Sequence, residues 1–428
     1  MKKEFISSLE LNNSLKEMKT RYFLFVILWV ISLGKECPAK KPIVFIPGIL
    51  ASMLEGDINI KDISKTPLPE KCDTQVEYER LWVALKNVRP LKNECSLGYL
   101  TPMWNSTSKE QIDIEGVNII SPKFGSTYAC DEIDPNWPVS IFAKCFHDLI
   151  KKFKKLGYVD GDDMVGASYD WRYYRYGEYK HKRNWFEDTK ELIINTYNKY
   201  GKVVVISHSM GGLMFYKFLD YVGKEFADKY IDNWIAMSTP FLGSGKAIAA
   251  AFPGNNLGLP ISGDKLRPFA RRTETVALLL PIGGTKIFGE EILMKIKSTG
   301  KTYNADQIEE LIKTLDDKEF QENYLHTVQH GMKELYEKYN YKLPFPIKMH
   351  CMISSGYESI KGVEMENESY DSDSKLLYGD GDETVNLNSL EFCKNIGATT
   401  FKNLGKYTHT GILDDKASYE SVYPYVCN

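Results

Sequence analysis

The sequence predicts an α/β fold in which a mostly parallel central sheet is covered by helices on both faces. The chain has 428 residues, which is enough for one large core with insertions. Short β-branched apolar runs alternate with segments of helical periodicity, and this alternation is typical of parallel sheets. The stretch VVVISHSMGGLMFY, residues 203–216, joins a predicted buried strand directly to a predicted amphipathic helix.

The strands of this sheet are predicted from six apolar runs. In chain order they are 42–47, 163–171, 202–207, 233–238, 347–355 and 399–404. Helices are predicted between them, at 141–156 with Gly157 as a C-cap, at 186–200, and from Gly211 onward. The first of these helices would have one apolar face, made of Ile141, Cys145, Leu149, Phe153 and Leu156.

Two stretches interrupt the alternation, 48–140 and 241–345. We interpret both as insertions on a single α/β domain that covers residues 35–428. Loops carried by a rigid scaffold usually determine specificity. These two insertions are therefore expected to contact the substrate.

The first 34 residues are predicted to be a signal peptide. Lys19 and Arg21 precede an apolar run at 22–33, which is short for a transmembrane span. Met18 is an alternative start, because the residues before it are polar and add nothing to a signal. An uncleaved signal anchor is the competing interpretation.

The cysteines and sequons indicate the secretory pathway. All eight cysteines follow the apolar run, and an even number in a secretory chain suggests disulfides. Asn105 and Asn367 begin N-glycosylation sequons. We therefore expect a secreted protein or one in a lysosome-like or vacuole-like lumen.

Composition and motif spacing exclude several other classes of function. The net charge of −3 offers no basic surface, so no nucleic-acid partner is expected. No C-x-x-C pair is present, which argues against a zinc ribbon or a thioredoxin-like site. Neither a metal nor a cofactor is predicted.

Ser209 stands at the junction between the predicted strand and helix. In a nucleophile elbow, a sharp turn at this point lifts the serine hydroxyl above the sheet. The turn reads SHSMG, so Ser207 replaces the glycine that commonly occupies the first small position. An ordinary turn with an incidental serine is the alternative interpretation.

A nucleophilic serine needs a histidine base and an acid that orients the base. In α/β chains with this elbow the order is serine, acid, histidine. Asp380, Asp382 and Glu383 lie together on a glycine-rich loop, and His409 follows the last predicted strand. The other downstream histidines lie in a helical segment or inside a strand: His326, His330 and His350.

We therefore predict that Asp382 is the acid and His409 the base. The acidic segment could instead be a solvated turn or a calcium loop, although it lacks the remaining ligand spacing of an EF-hand. His409 could instead be a surface histidine.

Two backbone N–H groups are expected to bind the oxyanion of a tetrahedral intermediate. One belongs to Met210, the residue after the serine. The other is expected in the loop after the first strand, at Ile49, which follows Pro47 and Gly48. Losing one such donor costs about 3–4 kcal/mol in comparable enzymes. A simple strand-end turn at Ile49 is the alternative.

Together these segments resemble the lecithin–cholesterol acyltransferase and lysosomal phospholipase A/acyltransferase family of α/β-hydrolases. The matching segments are VFIPGILASMLEG, LWVALKNVRPLKNEC, GASYDWRYY, SHSMGG, GNNLGLPI, LLYGDGDETVNLNSL and the His409 segment. They extend from about residue 42 to 411. The resemblance implies Ser209 as nucleophile, Asp382 as acid and His409 as base, with the amides of Ile49 and Met210 as the oxyanion hole.

The resemblance also implies two disulfides, Cys72–Cys95 and Cys351–Cys393. The four remaining cysteines allow three pairings, of which Cys37–Cys427 is attractive because chain termini often lie close together. The other two are Cys130 and Cys145.

Two regions that contact or cover lipid are implied as well. One is an insertion near 57–100, whose apolar patch contains Leu81, Trp82, Val83, Leu85 and Val88; a core-facing patch is the alternative. The other is a cap near 241–345, in which Phe241 to about Pro281 resembles a mobile lid with Gly254 and Gly258 as hinges.

The reaction implied is cleavage of a fatty acyl ester of a glycerophospholipid through an acyl-enzyme. The acyl group would pass to water or to an alcohol such as a sterol, at a membrane or lipoprotein surface. The alternatives are a neutral-lipid acyltransferase, with diacylglycerol or a sterol as substrate, and a non-catalytic lipid-binding relative.

Overall fold

The computed structural model describes residues 37–82, 93–134, 144–179, 181–256, 261–370, 374–414 and 416–428. The strands are β1 Ile43–Ile46, β2 Leu54–Asn59, β3 Gln75–Trp82, β4 Met103–Asn105, β5 Glu110–Ile112, β6 Val117–Ile120, β7 Met164–Gly166, β8 Val203–His208, β9 Ile231–Met237, β10 Met294–Ile296, β11 Thr302–Tyr303, β12 Met349–Ile353, β13 Tyr357–Met365, β14 Ser374–Gly381 and β15 Thr400–Asn403.

Helices lie between these strands and after the last one. They are α1 Asn93–Leu100, α2 His147–Lys155, α3 Trp185–Tyr200, α4 Met210–Tyr230, α5 Gly245–Ala251, α6 Gly263–Arg272, α7 Glu274–Leu278, α8 Gly284–Ile287, α9 Ile308–Lys313, α10 Lys318–His330, α11 Met332–Lys338, α12 Leu387–Glu391, α13 Cys393–Ile396 and α14 Lys416–Val426.

The central sheet has six parallel strands in the order β15-β12-β9-β8-β1-β7. Each of the six predicted runs supplies one of these strands. β8 lies inside the sheet and all its residues are buried, as expected for a strand covered on both faces. The predicted fold class, an α/β-hydrolase, is confirmed.

Alternate residues of the strands face two separate apolar cores. On β1, Ile43 and Phe45 pack with the residues of α2 and α14. Val44 and Ile46 point to the opposite face, where α3 and α4 lie. This alternation follows from the two-residue period of a strand and explains why both faces need helices.

The helix predicted from Ile141 begins later, at His147. Cys145 and Phe146 precede the helix because the N–H of Cys145 donates to the carbonyl of Asp131, and that of Phe146 to Cys130. Residues 135–143, and with them Ile141, lie outside the described residues.

The insertion at 48–140 contains strands that the sequence pattern did not predict. β2 pairs with β3 and β6, and β4 pairs with β5, all antiparallel. Register shifts interrupt the pairing of β2 with β3 on both sides of Gly56. Such bulges break the strict alternation by which a strand is recognised in a sequence.

The acidic segment was predicted as a loop, and that prediction is wrong for Asp380. This residue lies in β14, which pairs antiparallel with β13. Glycines in a strand interior weaken it, which is why its two neighbours suggested a loop, but the pairing of Asp380 with Glu358 of β13 extends the strand through them. Asp382 follows directly after the end of β14.

Much of the expected lid is packed into the core. α5 is buried against β13, and a Cβ added to Gly245 would meet the backbone of Lys361 at 2.5 Å. α7 is fixed by buried Glu274, which accepts from Arg175 Nε at 2.5 Å and from the hydroxyl of Tyr179 at 2.7 Å. The stretch from 241 to 251 is therefore not a free lid in this structure.

The expected hinges of that lid are Gly254 and Gly258. Gly254 has a positive φ of 85°, and a Cβ there would meet the carbonyl oxygen of Gly263 at 2.4 Å. The left-handed backbone and the close contact both require glycine at this position. Gly258 lies outside the described residues.

Three disulfides join Cys37 to Cys427, Cys72 to Cys95, and Cys351 to Cys393. The first connects the two ends of the described chain. Cys130 and Cys145 are buried free thiols. Among the described residues, no helix is long and apolar enough to cross a bilayer.

Candidate active site

The turn between β8 and α4 holds Ser209 in a strained backbone conformation. Its φ is 54° and its ψ is −134°, which a residue with a side chain rarely adopts. The N–H of Ser209 donates to the carbonyl of Met237 at 2.9 Å. The two following glycines allow the close approach, because a Cβ at Gly211 would lie 2.3 Å from the carbonyl oxygen of Ile46.

Ser207 occupies the first small position of the elbow for a reason visible in the packing. Its Oγ accepts a hydrogen bond from Trp234 Nε1 at 2.8 Å, on the neighbouring strand β9. The hydroxyl thus satisfies an indole N–H that is buried in the sheet.

The structure brings the three predicted catalytic residues together. His409 Nε2 lies 2.8 Å from Ser209 Oγ, and His409 Nδ1 lies 2.7 Å from Asp382 Oδ2. All three side chains are buried, with Asp382 fully excluded from solvent. With a neutral histidine, the serine hydroxyl donates to Nε2 and the Nδ1–H donates to the carboxylate.

Backbone groups aim the carboxylate of Asp382. Its Oδ1 accepts from the N–H groups of Thr384 at 3.2 Å and Val385 at 2.8 Å. These bonds occupy Oδ1 and leave Oδ2 to accept from His409. The two neighbouring candidates, Asp380 and Glu383, are exposed and stay outside the site.

His208 is a site residue that sequence reasoning missed. Its Nε2–H donates to the carbonyl oxygen of His409 at 2.8 Å, and the two rings lie 4.8 Å apart. Burial, and then the nearby His409, lower the pKa of His208 to about 3. A neutral His208 therefore holds the backbone of the residue whose ring contacts Ser209. Its position directly before the serine was the available signal.

The two predicted oxyanion donors belong to Met210, which follows Ser209, and to Ile49, which follows Gly48. Met210 is the first residue of α4, where N–H groups have no acceptor within the helix. Ile49 lies in a turn that ends with the N–H of Ala51 donating to the carbonyl of Gly48 at 3.3 Å. A Cβ added to Gly48 would lie 2.7 Å from the Cβ of Ser209, so this turn touches the nucleophile.

The predicted lipid-contacting patch is not a surface in the described part of the chain. Leu81 is 4% and Trp82 is 6% exposed. Trp82 packs edge-on against Trp171, with 5.2 Å between ring centroids. The core-facing alternative therefore holds for these two residues, because β2 and the YDWR segment cover them. Val83, Leu85 and Val88 lie outside the described residues.

Asn105 is the last residue of β4 and Asn367 follows the end of β13, and each side chain accepts from the turn that comes next. Asn105 Oδ1 accepts from the N–H of Thr107 at 3.0 Å, and Asn367 Oδ1 from that of Ser369 at 2.9 Å. Asn367 is exposed and Asn105 is half-buried. In the part of the chain that the structure describes, no group of three His, Cys, Asp or Glu side chains could hold a metal ion.

Comparison with known proteins gives consistent matches. The family model for lecithin:cholesterol acyltransferase matches residues 78–345. The chain is 28% identical over 389 residues to phosphatidylcholine-sterol acyltransferase from Gallus gallus, covering 89% of this chain and 88% of that protein. It is 27% identical over 377 residues to lysosomal phospholipase A and acyltransferase from Homo sapiens, covering 87% and 86%.

The fold has a match among solved structures. A chain in the crystal structure of the Tle4–Tli4 complex superposes with a TM-score of 0.54 at 13% sequence identity. The match covers 90% of this chain and 98% of that one. At this identity the match concerns the fold alone.

Proposed function

The chain belongs to the lecithin:cholesterol acyltransferase family, and from this we propose that it is a serine-dependent acyl hydrolase and acyltransferase of glycerophospholipids. The observation that carries the proposal is the contact of His409 with both Ser209 and Asp382, at 2.8 Å and 2.7 Å. The names of the similar proteins, a phosphatidylcholine-sterol acyltransferase and a phospholipase A and acyltransferase, support phospholipid as the acyl donor.

The first half of the reaction transfers the acyl group to the enzyme. Ser209 Oγ attacks the ester carbonyl carbon while His409 Nε2 takes the hydroxyl proton. Asp382 stabilises the imidazolium, and the amides of Ile49 and Met210 bind the developing oxyanion. The intermediate collapses as the bond to the glycerol oxygen breaks, and His409 returns the proton to that oxygen. A lysophospholipid leaves and the acyl group stays on Ser209.

The second half passes the acyl group to an acceptor. Water or an alcohol gives its proton to His409 and attacks the acyl carbonyl. The resulting intermediate collapses with the proton returning to Ser209 Oγ, which releases a fatty acid or a new ester. The nature of the acceptor decides whether the protein acts as a phospholipase or as an acyltransferase.

Location and domain organisation belong to the same proposal. Three disulfides fit a compartment that favours oxidised cysteines, such as the secretory lumen or the extracellular space. Residues 35–428 would form one catalytic domain that works at a phospholipid surface, after removal of a signal peptide at 1–34. Glycosylation at Asn105 and Asn367 stays a prediction, checked by the mass lost on enzymatic deglycosylation.

The test uses the purified mature protein on phosphatidylcholine liposomes, alone, with cholesterol, or with a long-chain alcohol. Ser209→Ala is the matched control, and mass spectrometry resolves all products. Fatty acid and lysophospholipid alone would establish a phospholipase A, and a new ester would establish an acyltransferase. Turnover should fall by roughly 10⁵–10⁶ in Ser209→Ala. Equal turnover in both proteins would contradict the proposal, and turnover of diacylglycerol or sterol esters alone would favour the neutral-lipid alternative.

A further inference from the structure

The turn that carries Ile49 is held from outside by four side-chain donors. They come from three separate parts of the chain. Tyr169 OH donates to Pro47 O at 2.8 Å and Trp171 Nε1 to Ser52 O at 3.1 Å, while Trp82 Nε1 donates to Leu50 O at 2.7 Å and Cys145 Sγ to Ala51 O at 3.1 Å. The conformation of this turn therefore depends on contacts with the rest of the chain as well as on its own residues.

The turn itself is strained. Leu50 has a φ of 62°, and the hydrogen bond from Ala51 N to Gly48 O closes the turn around it. A positive φ at the third residue of a four-residue turn is normally supplied by glycine. External hydrogen bonds must therefore help to keep Leu50 in this conformation.

One of the four donors is connected to the amide of Ile49 through two peptide groups in series. In a planar trans peptide, the C=O and the N–H point in opposite directions. The Leu50–Ala51 peptide accepts from Trp82 at its carbonyl and donates from its N–H to Gly48 O. The Gly48–Ile49 peptide accepts that bond at its carbonyl, so its N–H, which belongs to Ile49, is directed to the opposite side.

We propose that Trp82 is a positioning residue for the oxyanion hole. This inference rests on the proposed function, since it assigns a role to the amide of Ile49 in that reaction. The indole N–H fixes the Leu50–Ala51 peptide, and that peptide fixes the direction of the Ile49 N–H. Hydrogen bonds in series also polarise one another, which makes the last N–H a better donor.

Trp82 is well placed to be a rigid anchor. It lies at the end of β3, is buried, and packs edge-on against Trp171. It also lies between Cys72 and Cys95, so a disulfide closes the segment that presents it. The insertion at 57–100 thus acts on the chemistry from inside the molecule through Trp82. The other three donors bind carbonyls that belong to neither of the two linked peptides.

The experiment compares Trp82→Phe with Trp185→Phe on a soluble monomeric ester. Trp185 is the matched control, because its buried Nε1–H also donates to a backbone carbonyl, that of Ala167, at 3.1 Å. Trp82→Phe should lower kcat about 10- to 100-fold with little change in KM or in the pH profile, since misdirecting one oxyanion donor affects the transition state alone. Trp185→Phe should keep kcat within about two-fold of the wild type.

A second measurement separates positioning from damage to the fold. Ser209 Oγ adds reversibly to the carbonyl carbon of an alkyl trifluoromethyl ketone. The resulting tetrahedral oxyanion would be bound by the amides of the oxyanion hole. The inhibition constant of the ketone should weaken by the same factor as kcat/KM in Trp82→Phe, but not in Trp185→Phe. If Trp82→Phe does not fold, the benzothiophene analogue of tryptophan at position 82 keeps the shape and lacks the N–H. This variant should show the same loss of kcat and the same weakening of the inhibition constant.

Each other outcome overturns the inference. If soluble-ester turnover is intact and only activity on phosphatidylcholine vesicles falls, Trp82 acts in lipid contact. If Trp82→Phe and Trp185→Phe lose the same activity, the effect is structural. In both cases wild-type turnover that depends on Ser209 leaves the proposed function standing. If wild-type turnover is unchanged in Ser209→Ala, the proposed function fails, and the role of Trp82 fails with it.

Discussion

The two amides proposed to bind the oxyanion are held in different ways. Met210 begins α4 directly after β8, so its position follows from the local strand, turn and helix. Ile49 lies in a strained turn that depends on side chains more than 30 residues away, such as Trp82. One half of the site is therefore fixed by local backbone geometry, and the other half by tertiary contacts. Substitutions should separate the two.

Among variants that keep Ser209, the largest effect is expected at Asp382, because the reaction needs its contact with His409 whichever amide binds the oxyanion. Asp382→Asn should leave the fold intact and lower kcat about 10⁴-fold, because the amide holds His409 in the wrong tautomer. The adjacent exposed Glu383→Gln serves as the control and should keep wild-type turnover. Steady-state kinetics on a soluble ester and thermal unfolding check both variants. An equal loss in the two variants would show that Asp382 is not the acid.

Removing either of two disulfides should cost a similar free energy of unfolding, but only one of the two removals should also lower kcat. The Cys72–Cys95 and Cys351–Cys393 bridges each close a loop whose release costs about 3–4 kcal/mol on the chain-entropy model. Double serine substitution at the first pair frees the segment that presents Trp82, so kcat should fall as well. The same change at the second pair should lower the free energy of unfolding and leave kcat of the folded protein near wild type. Urea unfolding and kinetics below the unfolding transition provide both quantities.

Gly211→Ala and Gly48→Ala each add one methyl group, the first beside the Met210 amide and the second beside the Ile49 amide. In Gly211→Ala the new Cβ would lie 2.3 Å from the carbonyl oxygen of Ile46 and 2.5 Å from that of Pro47. The free energy of unfolding should therefore fall by about 3 kcal/mol. In Gly48→Ala the clash is with Ser209 itself, at 2.7 Å. That variant should lose about 10²-fold in kcat with a smaller loss of stability. The reverse order of effects would contradict the comparison.

His208, which lies on the same strand-turn-helix segment as Met210, should make the free energy of unfolding depend on pH. Burial and the neighbouring His409 lower the pKa of His208 to about 3, against an ordinary value of about 6.5. Between these values the unfolded chain binds a proton that the folded protein does not, so stability falls as the pH drops from about 6.5 towards 3. His208→Gln should reduce this slope. The check is the free energy of unfolding in urea across that range, and identical slopes would refute the assignment.

The smallest effect is expected at Leu50, whose φ is 62°. Leu50→Gly should relieve backbone strain of about 1–2 kcal/mol but add entropy to the unfolded chain, for a net gain of no more than about 1 kcal/mol. A relaxed turn needs less external support. Leu50→Gly should therefore recover part of the kcat lost in Trp82→Phe, and a double-mutant cycle measures this coupling. Strict additivity would mean that Trp82 does not act through the turn.

The same division explains which features were predictable from the sequence. The strand β8, the turn at Ser209 and the start of α4 are encoded by neighbouring residues, and each was predicted within a few positions. The partners Asp382 and His409 were predictable because they follow strands, and parallel strands bring their carboxyl ends to one edge of a sheet.

The remaining features depend on pairing that no local pattern contains. The end of β14, at Asp380, was predicted as a loop because of its neighbouring glycines, and its strand conformation depends on pairing with β13. A lipid contact at Trp82 was implied by the resemblance, with a core-facing patch as the alternative, because an apolar run in the sequence does not indicate what covers it; in the structure Trp82 is buried. The role of His208 requires knowing that the carbonyl of His409 comes within 2.8 Å of its ring.

The central claim is that Ser209 carries the acyl group between the donor phospholipid and the acceptor. The most direct measurement is rapid mixing of the protein with phosphatidylcholine liposomes, acid quenching, and intact-protein mass spectrometry with peptide mapping. We expect a mass increase of one acyl chain, located on the peptide that contains Ser209, which appears before free fatty acid and is absent in Ser209→Ala. Steady turnover without any acylated Ser209, or acylation at another residue, would contradict the account.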